Sequence, residues 1–124
     1  MTESLKLTID TERDGVAVIR TDGYINNQGG EEIARVAYEL IEKGHDRLLL
    51  NLAQTKIVNS IGISILIEII EKMLEIDGRL AFCNLTPTIA KTFHIMGLAQ
   101  YSGIYEDEDE AIAALLSDEA SSGD

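Results

Sequence analysis

The stretch Ile57-Val58-Asn59-Ser60-Ile61-Gly62-Ile63 sets a polar Asn-Ser pair among apolar neighbours, where a loop gives way to a helix. A serine placed there has three possible uses. Asn59 or Ser60 can serve as the helix N-cap, lending a side-chain oxygen to an orphan amide for about 1 kcal/mol. The Ser60 hydroxyl can act as a nucleophile, if a base takes its proton. Or it can accept a phosphate, since the free amides and dipole of a helix start suit an anion. A phosphate would add about −1.5 to −2 charges beside an apolar surface. That would displace a partner packed on Ile61 and its neighbours without unfolding the domain.

The nucleophile is the weakest of the three. The only histidines are His45, at the opening of a strand, and His94, late in a helix. Neither falls near the loop that carries Ser60. Gly29-Gly30 is too short for a phosphate loop and lacks the P-loop lysine. No Cys/His set has zinc spacing. The four tyrosines and two phenylalanines do not cluster into a stacking platform. No cofactor, metal or catalytic role is therefore expected. Other polar residues that should share the site's edge are Asp22, Gly23, Asn26, Asn27, Thr55, Lys56, Asn84 and Thr86.

The elements that position these residues follow from periodicity. Leu5, Leu7 and Ile9 alternate with Lys6, Thr8 and Asp10, as in a strand with one wet face. Asp14-Gly15 signals a turn, and Val16 to Ile19 reads as a strand covered on both faces. The pair makes an antiparallel hairpin at one side of a sheet. Ile33, Val36, Ala37, Leu40 and Ile41 fall at helical spacing, and Gly44 closes that helix. A strand from Arg47 to Leu52 follows, then a long helix from Ser60 to about Asp77, ended by Gly78. Leu80 to Cys83 is the fourth strand. Thr86-Pro87 opens a third helix with Ile89, Ala90, Phe93 and Met96 on its inner face, stopped by Gly97. Ile104-Tyr105 is a short last strand. The acids Glu106 to Glu110 suit the positive end of a helix running to Leu116. The order β-β-α-β-α-β-α-β-α is that of an α/β domain: a small mixed sheet with an antiparallel edge hairpin, then parallel strands and about four helices. In such sheets, ligands gather at the carboxyl ends of the strands.

The bulk numbers fit one domain over residues 1–116, with 117–124 as a disordered acidic tail. Hydrophobic residues make up 45% of the chain and charged residues 26%, enough for a core without staples. With 22 acidic residues against 10 basic, a net charge of −12 disfavours nucleic acid and anionic membranes, and favours a partner with a basic face. The single cysteine, Cys83, ends an apolar run and reads as a buried, inert thiol. The lack of a disulfide fits a reducing, cytoplasmic compartment. Met1-Thr2-Glu3-Ser4 has no leader character, and no apolar run approaches the ~18 residues of a span, so no direct membrane insertion is expected.

The chain resembles the STAS-domain family, the anti-sigma factor antagonists of bacteria. The family's Asp-Ser-Ser/Thr-Gly-Leu/Ile signature reads here as Asn59-Ser60-Ile61-Gly62-Ile63. Its Gly-x-Leu/Ile-Asp signature after the second strand reads Gly23-Tyr24-Ile25-Asn26, and Met96-Gly97-Leu98 fits its closing pattern. The resemblance implies a regulatory protein that binds an anti-sigma factor, itself a serine kinase, and is switched by phosphorylation of Ser60 and restored by a phosphatase. It also implies a partner surface of Asn26, Asn59, Ser60, Ile61, Gly62 and Ile63, with Gly62 admitting a close backbone approach. Two features depart from the family: asparagines stand at 26 and 59 in place of aspartates, and Ile61 in place of a second hydroxyl. A site without those acids could slow a kinase that reads them, or accommodate phosphoserine more easily. Some members act without phosphorylation, as scaffold subunits of sensing complexes or of lipid transporters, and that is the alternative for this chain.

Overall fold

The computed structural model describes residues 5–117. Strands β1 (Lys6–Arg13) and β2 (Val16–Asp22) pair antiparallel through a two-residue turn. Asp14 and Gly15 take φ of 59° and 90° there, the consecutive positive angles that a tight hairpin requires. Helix α1 (Asn27–Glu42), β3 (Arg47–Gln54), α2 (Ser60–Glu75), β4 (Arg79–Cys83), α3 (Pro87–Ile95), a single 3-10 turn (Leu98–Gln100), β5 (Gly103–Tyr105) and α4 (Glu108–Leu116) follow. The sheet order is β1-β2-β3-β4-β5, with β2 to β5 parallel. This is the mixed sheet with four helices that the sequence implies.

Each crossover moves one strand in the same direction, so a uniform right hand puts all its helices on one face. Ile33 and Ala37 of α1, Leu66 and Ile69 of α2, and Ile89 and Phe93 of α3 accordingly share one core with Ile19, Leu48, Leu50 and Phe82. Phe82 and Phe93 meet edge to face with centroids 5.0 Å apart. Val16, Val18, Leu49, Ala81 and Cys83 point to the other face, where Ala111, Ile112 and Leu115 of α4 cover them. Burial on both faces is why Val16–Ile19 and Leu48–Leu50 read as unbroken apolar runs. Burial also pushes the Cys83 thiol up to about 12, helped by the charges of Glu108 and Asp107, so the cysteine is inert.

The acidic run before α4 does more than favour a helix dipole. Asp107 caps the helix, accepting from the Glu110 amide at 2.9 Å. Glu108 turns back onto the sheet. Its carboxylate accepts from Arg20 Nε at 2.7 Å, Arg13 Nη1 at 2.8 Å and Asn51 Nδ2 at 2.6 Å. At the other end of α4, Arg47 and Arg79 donate to the Leu115 carbonyl. The helix is thus tied to the sheet at both ends.

Two expectations need correction. Ile9 is 45% exposed, because it lies on the edge strand where the helix layer does not reach. Met96 is not on the inner face of α3 but 50% exposed. The helix ends at Ile95 and Gly97 turns the chain at φ 88°, so helical periodicity stops and Leu98 takes the inward place. The expected tail lies, from residue 118 onward, outside the described residues. Among the described residues no helix is long and apolar enough to cross a membrane.

Candidate functional site

The loops leaving β2 and β3 at their carboxyl ends are stitched together. The Gly23 amide donates to Gln54 O at 3.2 Å, Ile25 N to Ile57 O at 3.0 Å, and Asn59 N to Ile25 O at 3.0 Å. Ile25 and Val58 form an isolated parallel bridge. One residue beyond that bridge, each chain segment enters a helix through an asparagine. Asn26 Oδ1 accepts from Gly29 N at 2.8 Å, and Asn59 Oδ1 accepts from Gly62 N at 2.8 Å. Beneath the loops, the Thr21 and Thr55 hydroxyls bond each other at 2.6 Å in full burial, so Thr55 belongs to the support and not to the surface.

A glycine at the third helical position lets each helix start pack onto a backbone carbonyl, and at Gly62 that carbonyl belongs to the other segment. A Cβ on Gly62 would stand 2.3 Å from the Ile25 carbonyl oxygen, and one on Gly29 would stand 2.5 Å from Tyr24 O. Both segments therefore read apolar-Asn-x-x-Gly: Ile25-Asn26-Asn27-Gln28-Gly29 and Val58-Asn59-Ser60-Ile61-Gly62. Sequence reasoning missed this repeat, and Asn27, expected only as a polar residue at the site's edge, is the first residue of α1.

With Asn59 as the cap, Ser60 is the first residue of α2 and its hydroxyl is released from capping. Ser60 is exposed, and among the described residues nothing bonds its hydroxyl; only its carbonyl is used, by Ser64 Oγ at 3.1 Å. The Ser60 and Ile61 amides have no acceptor within the helix, as at any helix start. Tyr24, Ile57 and Ile61, on the same two joined segments, are 40%, 49% and 52% exposed. A shallow cavity of about 230 Å³ opens at Ile57, lined also by Lys56, Thr88 and Thr92. The edge sets exposed apolar side chains among neutral polar ones, carries the positive ends of two helices, and has no carboxylate in either cap.

The structure brings Asn26, Asn59, Ser60 and Ile61 to this edge. It places Gly62 and Ile63 below it, both buried. The close approach that Gly62 permits is to the chain's own Ile25, and Ile63 is core. His94 lines a different cavity with Leu85, Ile104, Glu106 and Glu110, and His45 sits before β3, at the amino end of the parallel strands. Among the described residues, no group of three or more His, Cys, Asp or Glu could hold a metal ion.

Asn59→Ala is expected to lower stability by about 1 kcal/mol, while Asn59→Asp stays near wild type because aspartate caps as well. Urea melts of the two variants check this. Equal losses would show that the amide serves something other than the Gly62 amide.

The STAS domain model matches residues 9–111. The chain is 24% identical over 110 residues to BtrV of Bordetella bronchiseptica, which bears the name of an anti-sigma factor antagonist; the match covers 89% of this chain and 94% of that protein. An anti-sigma factor antagonist from Mycobacterium paratuberculosis superposes with a TM-score of 0.82 at 20% identity, over 94% of this chain and 98% of the other. Phosphorylated SpoIIAA of Bacillus gives 0.70 at 22% identity, over 87% and 97%. At such identities these structures share a fold. The domain match spans nearly the whole sheet and the Asn-Ser edge, and the chain belongs to the STAS domain family.

Proposed function

We propose that the chain is an anti-sigma factor antagonist, a cytoplasmic protein-binding module. On this reading its partner is an anti-sigma factor with serine kinase activity, and phosphorylation of Ser60 switches it, with a phosphatase reversing the switch. The observation that carries the reading is the division of labour at α2: Asn59 caps, and Ser60 is left exposed with an uncommitted hydroxyl. Relatives bearing the name anti-sigma factor antagonist support the partner class. The contact surface is Ser60, Asn59, Ile61 and Asn26, extended by Tyr24 and Ile57, with Gly62 and Ile63 as its foundation.

The neutral caps bear on how the phosphate acts. A dianion on Ser60 meets amides and helix dipoles with no neighbouring cap carboxylate to repel it, so it is held in place and the fold survives. Binding is lost because the partner must then bury a charge beside Ile57 and Ile61.

The test is a titration of the chain against the anti-sigma kinase that co-purifies with it. Ser60→Asp is expected to weaken binding by about a hundredfold or more, with an unchanged melting temperature. Ser60→Ala is expected to bind like wild type and take up no phosphate. A Ser60→Asp variant that binds as tightly as wild type would overturn the switch.

A further inference from the structure

We propose that the groove at the far end of α2 binds a basic amphipathic helix of the partner protein. Ser60, Ser64, Ile67, Glu71 and Leu74 recur at spacings of 4, 3, 4 and 3, which places them on one stripe of the helix. The stripe runs about 20 Å from the switch serine to the groove. There Ile67, Ile70 and Leu74 face Met96, Leu98 and Tyr101 across a cavity of about 410 Å³.

Three of these side chains stand out of the core: Leu74 at 48%, Met96 at 50% and Tyr101 at 63% exposure. Isolated exposed apolar residues are ordinary, but three around one cavity form a patch of the kind that marks an interaction site. Methionine and tyrosine suit the purpose, one by adapting its shape and the other by offering a broad face with a polar tip. A groove with one helical wall is the usual receptor for a second helix presenting anchors at i, i+3 or i+4 and i+7.

Charge selects the occupant. Among the described residues, Glu71 is the only charged one that lines the groove, and it makes no ion pair with any of them. Asp77 stands just beyond Leu74. The guanidinium of Arg79, in the adjoining cavity, is committed to the carbonyls of Leu115 and Ser117. A second copy of this chain would set one −12 surface against another and Glu71 against acidic neighbours. A helix with leucine-type anchors flanked by lysine or arginine meets the same surface with opposite charge. The inference rests on the chain being a protein-binding module, and lengthens the contact from the Ser60 edge to the opposite end of α2.

The test titrates the full-length, nitrogen-15-labelled chain with a synthetic leucine-lysine amphipathic helix of about 18 residues, and with its leucine-glutamate counterpart. The lysine peptide is expected to shift the amides of Ile67, Leu74, Met96 and Tyr101, and the glutamate peptide to shift none. Leu74→Lys and Tyr101→Ala, at exposed positions outside the core clusters, are each expected to weaken binding by about tenfold. Ser60→Asp should leave the peptide's affinity within about twofold, so failure at the groove and failure of the phosphorylation switch are read separately. Shifts centred on Glu106 to Glu110, unaltered affinity in Leu74→Lys, or a concentration-dependent dimer abolished by Leu74→Lys would each overturn the proposal.

Discussion

Gly62→Ala is expected to destabilise the domain by about 2–4 kcal/mol and to lower its melting temperature by about 10 °C or more. Helix propensity alone gives the opposite sign, since alanine is favoured over glycine inside a helix by about 1 kcal/mol. Position decides the outcome. The new Cβ would lie 2.3 Å from the Ile25 carbonyl oxygen and 2.9 Å from Ile25 Cγ2. The first obstacle is backbone, so no side-chain rotation relieves it. Moving it loosens Asn59 N to Ile25 O and Ile25 N to Ile57 O, which join the two loops. Each is worth about 1 kcal/mol. Gly44→Ala is the control: its φ of 101° carries strain, yet nothing lies within 4 Å of its Cβ. That substitution should cost only about 1 kcal/mol. Thermal melts of the pair check both values. A Gly62→Ala variant as stable as wild type would mean the two helix starts are less tightly joined than their geometry indicates.

Glu108→Gln is expected to cost about 2 kcal/mol at neutral pH and to remove a large part of the protein's acid sensitivity. The hydrogen bond from Arg20, with help from Asn51 and the charge of Arg13, holds this carboxyl at about 2, well below its ordinary 4.5. Every tenfold change in proton affinity corresponds to about 1.4 kcal/mol. The resulting ceiling of about 3 kcal/mol is reduced by solvent, because the Arg13 and Arg20 side chains are 31% and 37% exposed. A carboxyl whose pKa is depressed by folding stabilises the native state above its unfolded value. Glu108's contribution is therefore complete above about pH 4.5 and is lost as pH falls through about 2. Urea midpoints measured from about pH 7 to about pH 2 should fall less steeply in the variant across that window. The Arg13–Asp109 pair is the contrast: Asp109 is 92% exposed, and its removal should change little. Parallel curves for wild type and Glu108→Gln would show that α4 does not depend on the Glu108 carboxylate for its hold on the sheet.

Whatever local pattern alone determines is legible in the sequence. The Asp14-Gly15 turn, the doubly covered Val16–Ile19 run and the Thr86-Pro87 helix start each carry their signal within a few residues, and each is found. The start of α1 is not so simple. Asn27-Gln28-Gly29-Gly30 has the composition of a loop, and becomes helix because its glycines lie under Tyr24 O and against Ile65, contacts that only the folded chain creates. Helical periodicity puts Met96 inside only if α3 runs one residue past its actual end. Glu108 looks like any other member of an acidic run. Its partners Arg13, Arg20 and Asn51 are 95, 88 and 57 residues away, and no local pattern reveals them. At the site itself the sequence leaves open whether Asn59 or Ser60 caps α2. The bond from Gly62 N to Asn59 Oδ1 resolves it, and that resolution frees Ser60.

The most direct measurement of the central claim is the phosphorylation state of Ser60 in protein taken from its native cells, by intact mass and peptide mapping, in growing and in stressed cultures. The account predicts a phosphate on Ser60 whose occupancy changes between the two conditions, and a binding partner that carries the kinase. A Ser60 that stays bare in every condition would contradict the switch. It would mean that the two asparagine caps mark a STAS domain working as a permanent scaffold.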